Sequence, residues 1–400
     1  MLLPDILTKK RIEFTLLQFI FWASFAVTPF IVVYLTEQGL SNTEIGLLLS
    51  INALIGIISQ PFWGMAGDRL KSVKKVFIFC FATSTIAFAG LTFAHSTLMI
   101  GIILSINTFF KSSVVSLLDI WMISSISDEE HISYGSLRLW GSIGFAIAVL
   151  LFGKIADGRS INFIFPVYFA VSIMTLILCV KIKSTNVVLQ NKSEKFKPGI
   201  LFKNYYFMTF VVFVFFISLP NNPTGAFLPV LFEQVGGTTE QYGMMHSIKA
   251  FTEIPFFLFG NFFLKKFGNK KVIIFAALIY ILQQFMFGHA NSPVQVIVAQ
   301  MLLGPAYSLF LIGMLYYVLE LSPDGYQTTA QTLATALGMS LSSIIGNYGG
   351  GVFIDRFGLK PMFHAGMVCD IVTVLLFVLS LAIGKNILEK RRLKNICKRE

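Results

Sequence analysis

TPFIVVYLTEQ, residues 28–38, returns later in the chain as TGAFLPVLFEQ, residues 224–234. Thr28, Leu35, Glu37 and Gln38 match Thr224, Leu231, Glu233 and Gln234, each pair 196 residues apart. The same register carries GMAGDRLKSVKKV (64–76) onto GNFFLKKFGNKKV (260–272), pairing Gly64 with Gly260 and Lys74-Lys75-Val76 with Lys270-Lys271-Val272. GKIAD (153–157) then falls on GVFID (351–355) at a spacing of 198. A single match could arise by chance; three in nearly one register describe a chain built from two equivalent halves. The polar, lysine-rich stretch 182–203, with Pro198-Gly199, reads as the linker between them. It divides the chain into 1–181, the linker 182–203, 204–385 and a basic tail 386–400.

Composition says where such halves reside. The 400 residues are 55% hydrophobic and 13% charged, with a mean hydropathy of +0.75, which excludes an ordinary soluble globule. A membrane-crossing helix needs about 20 mostly apolar residues. Twelve such runs lie near 13–36, 45–67, 74–94, 97–125, 136–156, 161–181, 205–232, 240–264, 272–288, 294–320, 328–354 and 361–384. The first, with Trp22, Thr28 and Pro29, is too long for a signal-peptide core and has no small-residue cleavage site after it, so it reads as a retained helix. The expectation is an all-α integral membrane protein of two pseudo-symmetric six-helix bundles. Parallel repeats around a central site are an architecture of secondary transporters.

The net charge of +11 is a question of placement. Lys9, Lys10 and Arg11, then Arg69, Lys71, Lys74 and Lys75, the linker lysines, Lys265, Lys266, Lys270 and Lys271, and the tail from Lys385 all fall on one side. Only Lys154, Arg159, Arg356 and Lys360 fall on the other. Basic residues concentrate on the cytoplasmic side of membrane proteins, so both termini are expected there, in a cell membrane. The charge is a topology signal and argues against a nucleic-acid partner. Cys80, Cys179, Cys369 and Cys397 lie singly, without metal spacing. No G-K-[ST] phosphate loop is present, which excludes an ATP-driven pump, and no metal or cofactor is expected.

Gly64–Lys75 resembles the signature loop between helices 2 and 3 of the major facilitator superfamily, and Gln60-Pro61 before it resembles the lactose-permease type. YGSLRLWGSIGF (134–145), TEIPFF (252–257) and AQTLATALGMSLSSIIGNYGG (330–350) resemble the cluster of nucleoside–proton symporters and phenylpropionate permeases. The resemblance covers nearly the whole chain. It implies that Asp68, with Arg69 and Gly64, forms a gate against a helix end of the other half. The basic residues of that loop also read simply as a topogenic anchor. Leu264 stands where the second half would repeat Asp68, so the gate is expected in the first half alone.

Charges at membrane depth cost about 2.5–3.5 kcal/mol each on insertion scales and mark ion or solute paths. At 100° per residue, Tyr242, His246, Lys249, Glu253 and Gly260 fall within an arc of about 60° on helix 8. That stripe is expected to face a wet cavity, with Glu253 as proton carrier, His246 as a weaker one and Lys249 beside the solute; a self-neutralising Lys249–Glu253 pair is the plain alternative. In the first half Asn107 and Lys111 share a face of helix 4, and Asp119 lies about 80° round. The resemblance points to Arg138 on helix 5 as a solute contact, with Ser142 and Phe145 one and two turns on, Asp119 as its partner and a further proton-coupling candidate, and Tyr307 on helix 10; snorkelling of Arg138 to the interface is the plain reading. Lys249 departs from a nucleoside pattern and allows a more polar or anionic solute.

SLPNNPTGAFLP (218–229) places two prolines around Asn221-Asn222, breaking the hydrogen-bond ladder of helix 7 and offering amides and freed carbonyls to a hydroxyl-rich solute, or a simple kink. Gln331, Thr335, Gly338 and Ser342 form a small-polar packing stripe on helix 11. Asp370 on helix 12 stands outside the site. Together these residues predict a non-enzymatic carrier that takes up a nucleoside, sugar or aromatic acid with a proton or a sodium ion by alternating access, each chain holding a complete pathway and working as a monomer in the bilayer. The rival is a drug or metabolite–proton exporter, disfavoured by the absence of proline from Gly141–Gly153; an uncoupled facilitator and a membrane enzyme come after it.

Overall fold

The computed structural model describes residues 2–70, 72–94, 96–126, 134–182, 199–323 and 326–396, with side chains described from residue 10 to residue 385 except at 68, 134–136, 199–200, 261 and 328 within these ranges. Among the described residues there is helix and no strand. Six rods make the first half: α1 (Lys10–Glu37), α2 (Asn42–Gly67), α3 (Val73–Phe93), α4 (Thr97–Ser125), α5 (Leu137–Ala156) and α6 (Ile161–Lys181). The second half repeats them as α7 (Tyr205–Ala226, continued by Leu228–Gln234), α8 (Thr239–Phe267), α9 (Asn269–His289), α10 (Pro293–Leu321), α11 (Gln327–Leu333, Ala334–Ser340 and Leu341–Phe357) and α12 (Leu359–Lys385). Residues 183–198, most of the expected linker, lie outside the described residues.

Among the described residues, ten of these rods are long and apolar enough to cross a membrane by length and composition; α8 and α11 fall short. The reason is where they sit. α8 packs against α5 and α11 against α2, across the boundary between the halves. Residues there meet protein and an internal path, so Lys249 and Glu253 on α8, and the Gln, Ser, Thr and Gly of α11, are tolerated.

The interior of several rods differs from the expected straight helices. α4 is interrupted after Lys111 and resumes at Val114. α11 contains a π-helical stretch at Ala334–Ser340, a feature frequent at functional sites. α7, whose ladder the two prolines were expected to interrupt, stays helical to Ala226. Asn221 Nδ2 donates to the Ile217 carbonyl at 2.6 Å, Asn222 Nδ2 to Ser218 at 2.7 Å and Thr224 Oγ1 to Pro220 at 2.9 Å. The carbonyl freed by Pro220, that of Phe216, accepts from Cys369 Sγ at 3.8 Å. A neighbouring helix thus takes up the carbonyl freed by Pro220, while the short side chains add second bonds to carbonyls already within the helical ladder.

Three apolar clusters show how the halves meet. One spans both: Phe30, Tyr34, Leu35, Phe88 and Phe165 of the first half share it with Leu231, Phe232, Tyr242, Phe287 and Phe363 of the second. It lies at the end carrying the turns 38–41, 157–160 and 235–238, here called the sealed end. The other two clusters each belong to one half, at the end carrying the lysine-rich loops, here called the basic end. The halves therefore share a core at the sealed end and hold separate cores at the basic end.

Candidate functional site

At mid-depth on α8, Lys249 Nζ lies 2.9 Å from Glu253 Oε1, with the two side chains 26% and 20% exposed. Lys249 also stands 5.6 Å above the Tyr307 ring of α10. Tyr307 thereby stands beside the Lys249–Glu253 pair, and it is near enough to Arg138 of the other half to feel the guanidinium's charge. Arg138 is stacked on Trp22 of α1 with Cζ 3.8 Å from the ring centroid. That stacking holds the planar guanidinium in place. Arg138, Tyr307, Lys249 and Glu253 are brought into one locality; Trp22 is a supporting residue that no sequence pattern singled out.

Lys111 is placed apart, where α4 is interrupted. Its Nζ faces Phe25 at 4.4 Å, Phe88 at 5.5 Å and Tyr168 at 5.8 Å, an aromatic cage on the first half. Its helix neighbour Asn107 turns away to donate to the Ser84 carbonyl at 2.8 Å. Asp119 and Ser142 are half-buried on α4 and α5. Phe145 packs against the shared cluster of the sealed end. His246 stands edge-to-face on Tyr242 at 4.7 Å and its Nε2 is buried without a hydrogen-bond partner. Asn221 and Asn222 line a second-half cavity of about 190 Å³ with Tyr307, Tyr280 and Gln283. Asn222 Nδ2 donates to Ser342 Oγ of α11 at 3.2 Å.

The sealed end is held by groups that sequence reading saw as a repeat and assigned no role. α2 and α8 both begin with capping boxes. Ser41 and Glu44 exchange bonds at 2.8 and 3.3 Å, and Thr238 and Gln241 at 3.1 and 3.2 Å. Each helix start then receives a carboxylate from the opposite half. Asp355, at the end of α11, accepts from Thr43 N at 2.7 Å, Thr43 Oγ1 at 2.6 Å and Asn42 Nδ2 at 2.9 Å. Asp157, after α5, accepts from Glu240 N at 3.3 Å. Helix N-termini attract anions because their first amides are unpaired and carry the positive end of the dipole. Four residues before each aspartate stands Gly351 or Gly153. A Cβ at Gly351 would collide with the Asn42 carbonyl oxygen, and one at Gly153 would come within 2.8 Å of that of Thr239. Tyr242 completes the seal, its hydroxyl donating to Pro29 O at 3.3 Å.

At the basic end, Gly64 and Arg69 are exposed and no atom lies within 4 Å of where a Gly64 Cβ would be. The side chain of Asp68 and residue Lys71 lie outside the described residues.

Residues 12–365 match the model of the MFS_1 like family. The chain belongs to that family. It is a multi-pass membrane protein with the major facilitator fold. An uncharacterized transporter of Bacillus subtilis, YwbF, is 28% identical over 357 residues, 86% of each chain. A maltose permease of Geobacillus stearothermophilus is 26% identical, over 92% of this chain and 94% of its own length. Among solved structures, the nucleoside transporter NupG superposes with a TM-score of 0.83 at 17% identity, covering 94% of this chain and 99% of NupG.

Proposed function

We propose that this major facilitator transporter carries a small polar solute into the cell together with a proton. The observation that carries the reading is the Lys249–Glu253 pair at mid-depth, 2.9 Å apart, in electrostatic reach of Tyr307 and beside the boundary between the halves. A carboxylate in a poorly solvated site is drawn toward its neutral form, and an adjacent ammonium draws it back. Movement of Lys249 away from Glu253 as the halves rock switches the acid between proton-free and proton-bound. Arg138 and Tyr307 then offer the solute a planar donor and a hydroxyl on opposite walls.

The lysine-rich end faces the cytoplasm by the distribution of charge, with both termini inside the cell membrane. The sealed end is then extracellular, and alternation consists of parting Asp157 and Asp355 from their helix starts while the loop Gly64–Arg69 engages at the other side. Solute candidates are those of the relatives by name, maltose and nucleosides, with aromatic acids added because of Lys111 and Lys249.

External pH is measured in a lightly buffered, energy-depleted suspension of expressing cells, adding maltose, uridine and phenylpropionate in turn. Alkalinisation with one solute, absent in Glu253→Gln, supports proton symport and names the solute class. Accumulation without a pH change moves the coupling to sodium. Equilibration without accumulation makes the protein a facilitator and the charge pair structural.

A further inference from the structure

Asp370 sits mid-way along α12 and is wholly buried. Its one hydrogen-bonding neighbour is Asn221 Nδ2 of α7, at 3.1 and 3.4 Å from its two oxygens. Asn221 Oδ1 accepts in turn from Gln284 Nε2 of α9 at 3.5 Å, and Gln284 Oε1 accepts from Thr224 Oγ1 at 3.0 Å. Asn221 also lines the 190 Å³ cavity that Tyr280 and Tyr307 share. Tyr307 in turn lies 5.6 Å under Lys249, the ion-pair partner of Glu253. Among the described residues the titratable groups nearest Asp370 are Cys369 beside it on α12 and Tyr280 of α9, and α7 contributes the Asn221 amide. Among the described residues no lysine, arginine or histidine makes an ion pair with it.

An ionised carboxylate with no cation and a single amide donor, deep in a membrane bundle, is expensive, and such groups neutralise instead. A protonated carboxyl used only for packing would gain nothing over asparagine. Asp370 lies one hydrogen bond behind the cavity: its partner Asn221 lines it together with Tyr307, which stands next to the Lys249–Glu253 pair.

We infer that Asp370 is a second proton-binding carboxyl of the carrier, exchanging its proton with the cavity lined by Asn221, Tyr280 and Tyr307 and so communicating with Glu253. The inference rests on the proton-coupled reading above. When Asp370 gives up its proton to the cavity, the carboxylate left behind is held by the Asn221 amide. Tyr307, on the wall of that cavity and 5.6 Å under Lys249, is the link between the cavity and Glu253.

The test is infrared titration of the purified full-length protein in lipid vesicles, from acid to alkaline pH, for wild type, Asp370→Asn and Glu253→Gln. Two protonated-carboxyl bands that fade as pH rises are expected in wild type. Asp370→Asn loses one, Glu253→Gln loses the other, and the midpoint of the remaining Asp370 band moves in Glu253→Gln. Superimposable wild-type and Asp370→Asn spectra overturn the inference, and so does a band assigned to Asp370 that never fades, since that carboxyl would exchange no proton. Asparagine is nearly isosteric, and Asp370→Glu, which restores the acid, separates folding loss from proton loss. The readout needs no solute, so failure of the symport reading in the cell assay and failure of the Asp370 assignment are told apart.

Discussion

Replacing Asp355 by alanine should unlatch the sealed end. The carboxylate receives three hydrogen bonds at 2.6 to 2.9 Å from the start of α2. An anion at a helix N-terminus contributes about 0.3–1 kcal/mol when exposed, and a hydrogen bond to a charged group about 1.5–3 kcal/mol when well shielded. Asp355 is exposed, which screens its charge, so about 1.5 kcal/mol is the reasonable total. At about 1.4 kcal/mol per tenfold, the odds of the sealed end being parted rise about tenfold. Asp157, with one bond at 3.3 Å, is worth about 0.5 kcal/mol by the same reasoning, or roughly a twofold change. The two sites are separate and their effects should add. Spin labels at Gln38 and Gln234, exposed and repeat-related at the ends of α1 and α7, report the separation as a distance distribution. The long-distance population should grow in the order wild type, Asp157→Ala, Asp355→Ala, double variant. The pH dependence has a definite sign. Burial alone would raise the Asp355 carboxyl, but the bonds from Thr43 and Asn42 together outweigh it and hold it below the ordinary aspartate value. Its contribution is therefore complete above the ordinary value and is lost only as pH falls through the depressed one, below about pH 4. Unchanged distances in the double variant, or unlatching of wild type already near neutral pH, would refute the reasoning.

Thermal unfolding in detergent should show Lys249→Met and Glu253→Leu each destabilising by about 1–2 kcal/mol, less than for a fully buried pair because both side chains keep some exposure; the double variant should recover most of that stability while remaining unable to accumulate solute. Gly351→Val puts a side chain where the Asn42 carbonyl stands; overpacking of about 1–3 kcal/mol should part the spin labels more than Asp355→Ala does and cut uptake of whichever solute the cell assay identifies at least tenfold. Glu37 and Glu233, repeat partners, lie within electrostatic range of one another at the sealed end, so Glu233→Gln should relieve like-charge repulsion and narrow the label distances slightly. A broadening there would show that Glu233 instead helps to hold the halves together.

The duplicated register, the twelve spans and the side carrying the lysines were legible in sequence because bilayer thickness and charge asymmetry act on local stretches of chain. The Lys249–Glu253 pair was equally legible, since four residues on one helix decide it. The proline-interrupted ladder of helix 7 was legible too, but that Cys369 would take the carbonyl freed at Phe216 was not, because it depends on how α12 packs on α7. Arg138 was visible as a charge in an apolar run, but its support on Trp22 depends on how α1 and α5 cross. Asp157 and Asp355 stood in the repeat in plain view. Their meaning lay in the partner: each acts on the start of a helix in the opposite half, more than 80 residues away for Asp157 and more than 300 for Asp355. Asp370 likewise had no reading until α12 was packed on α7 and Asn221 turned toward it. Sequence by itself determined which stretches are membrane helices, because hydrophobic length is a local property. Which end is sealed, and which partner a buried acid such as Asp370 meets, was decided only by tertiary structure, because both depend on contacts between helices that no spacing along the chain encodes.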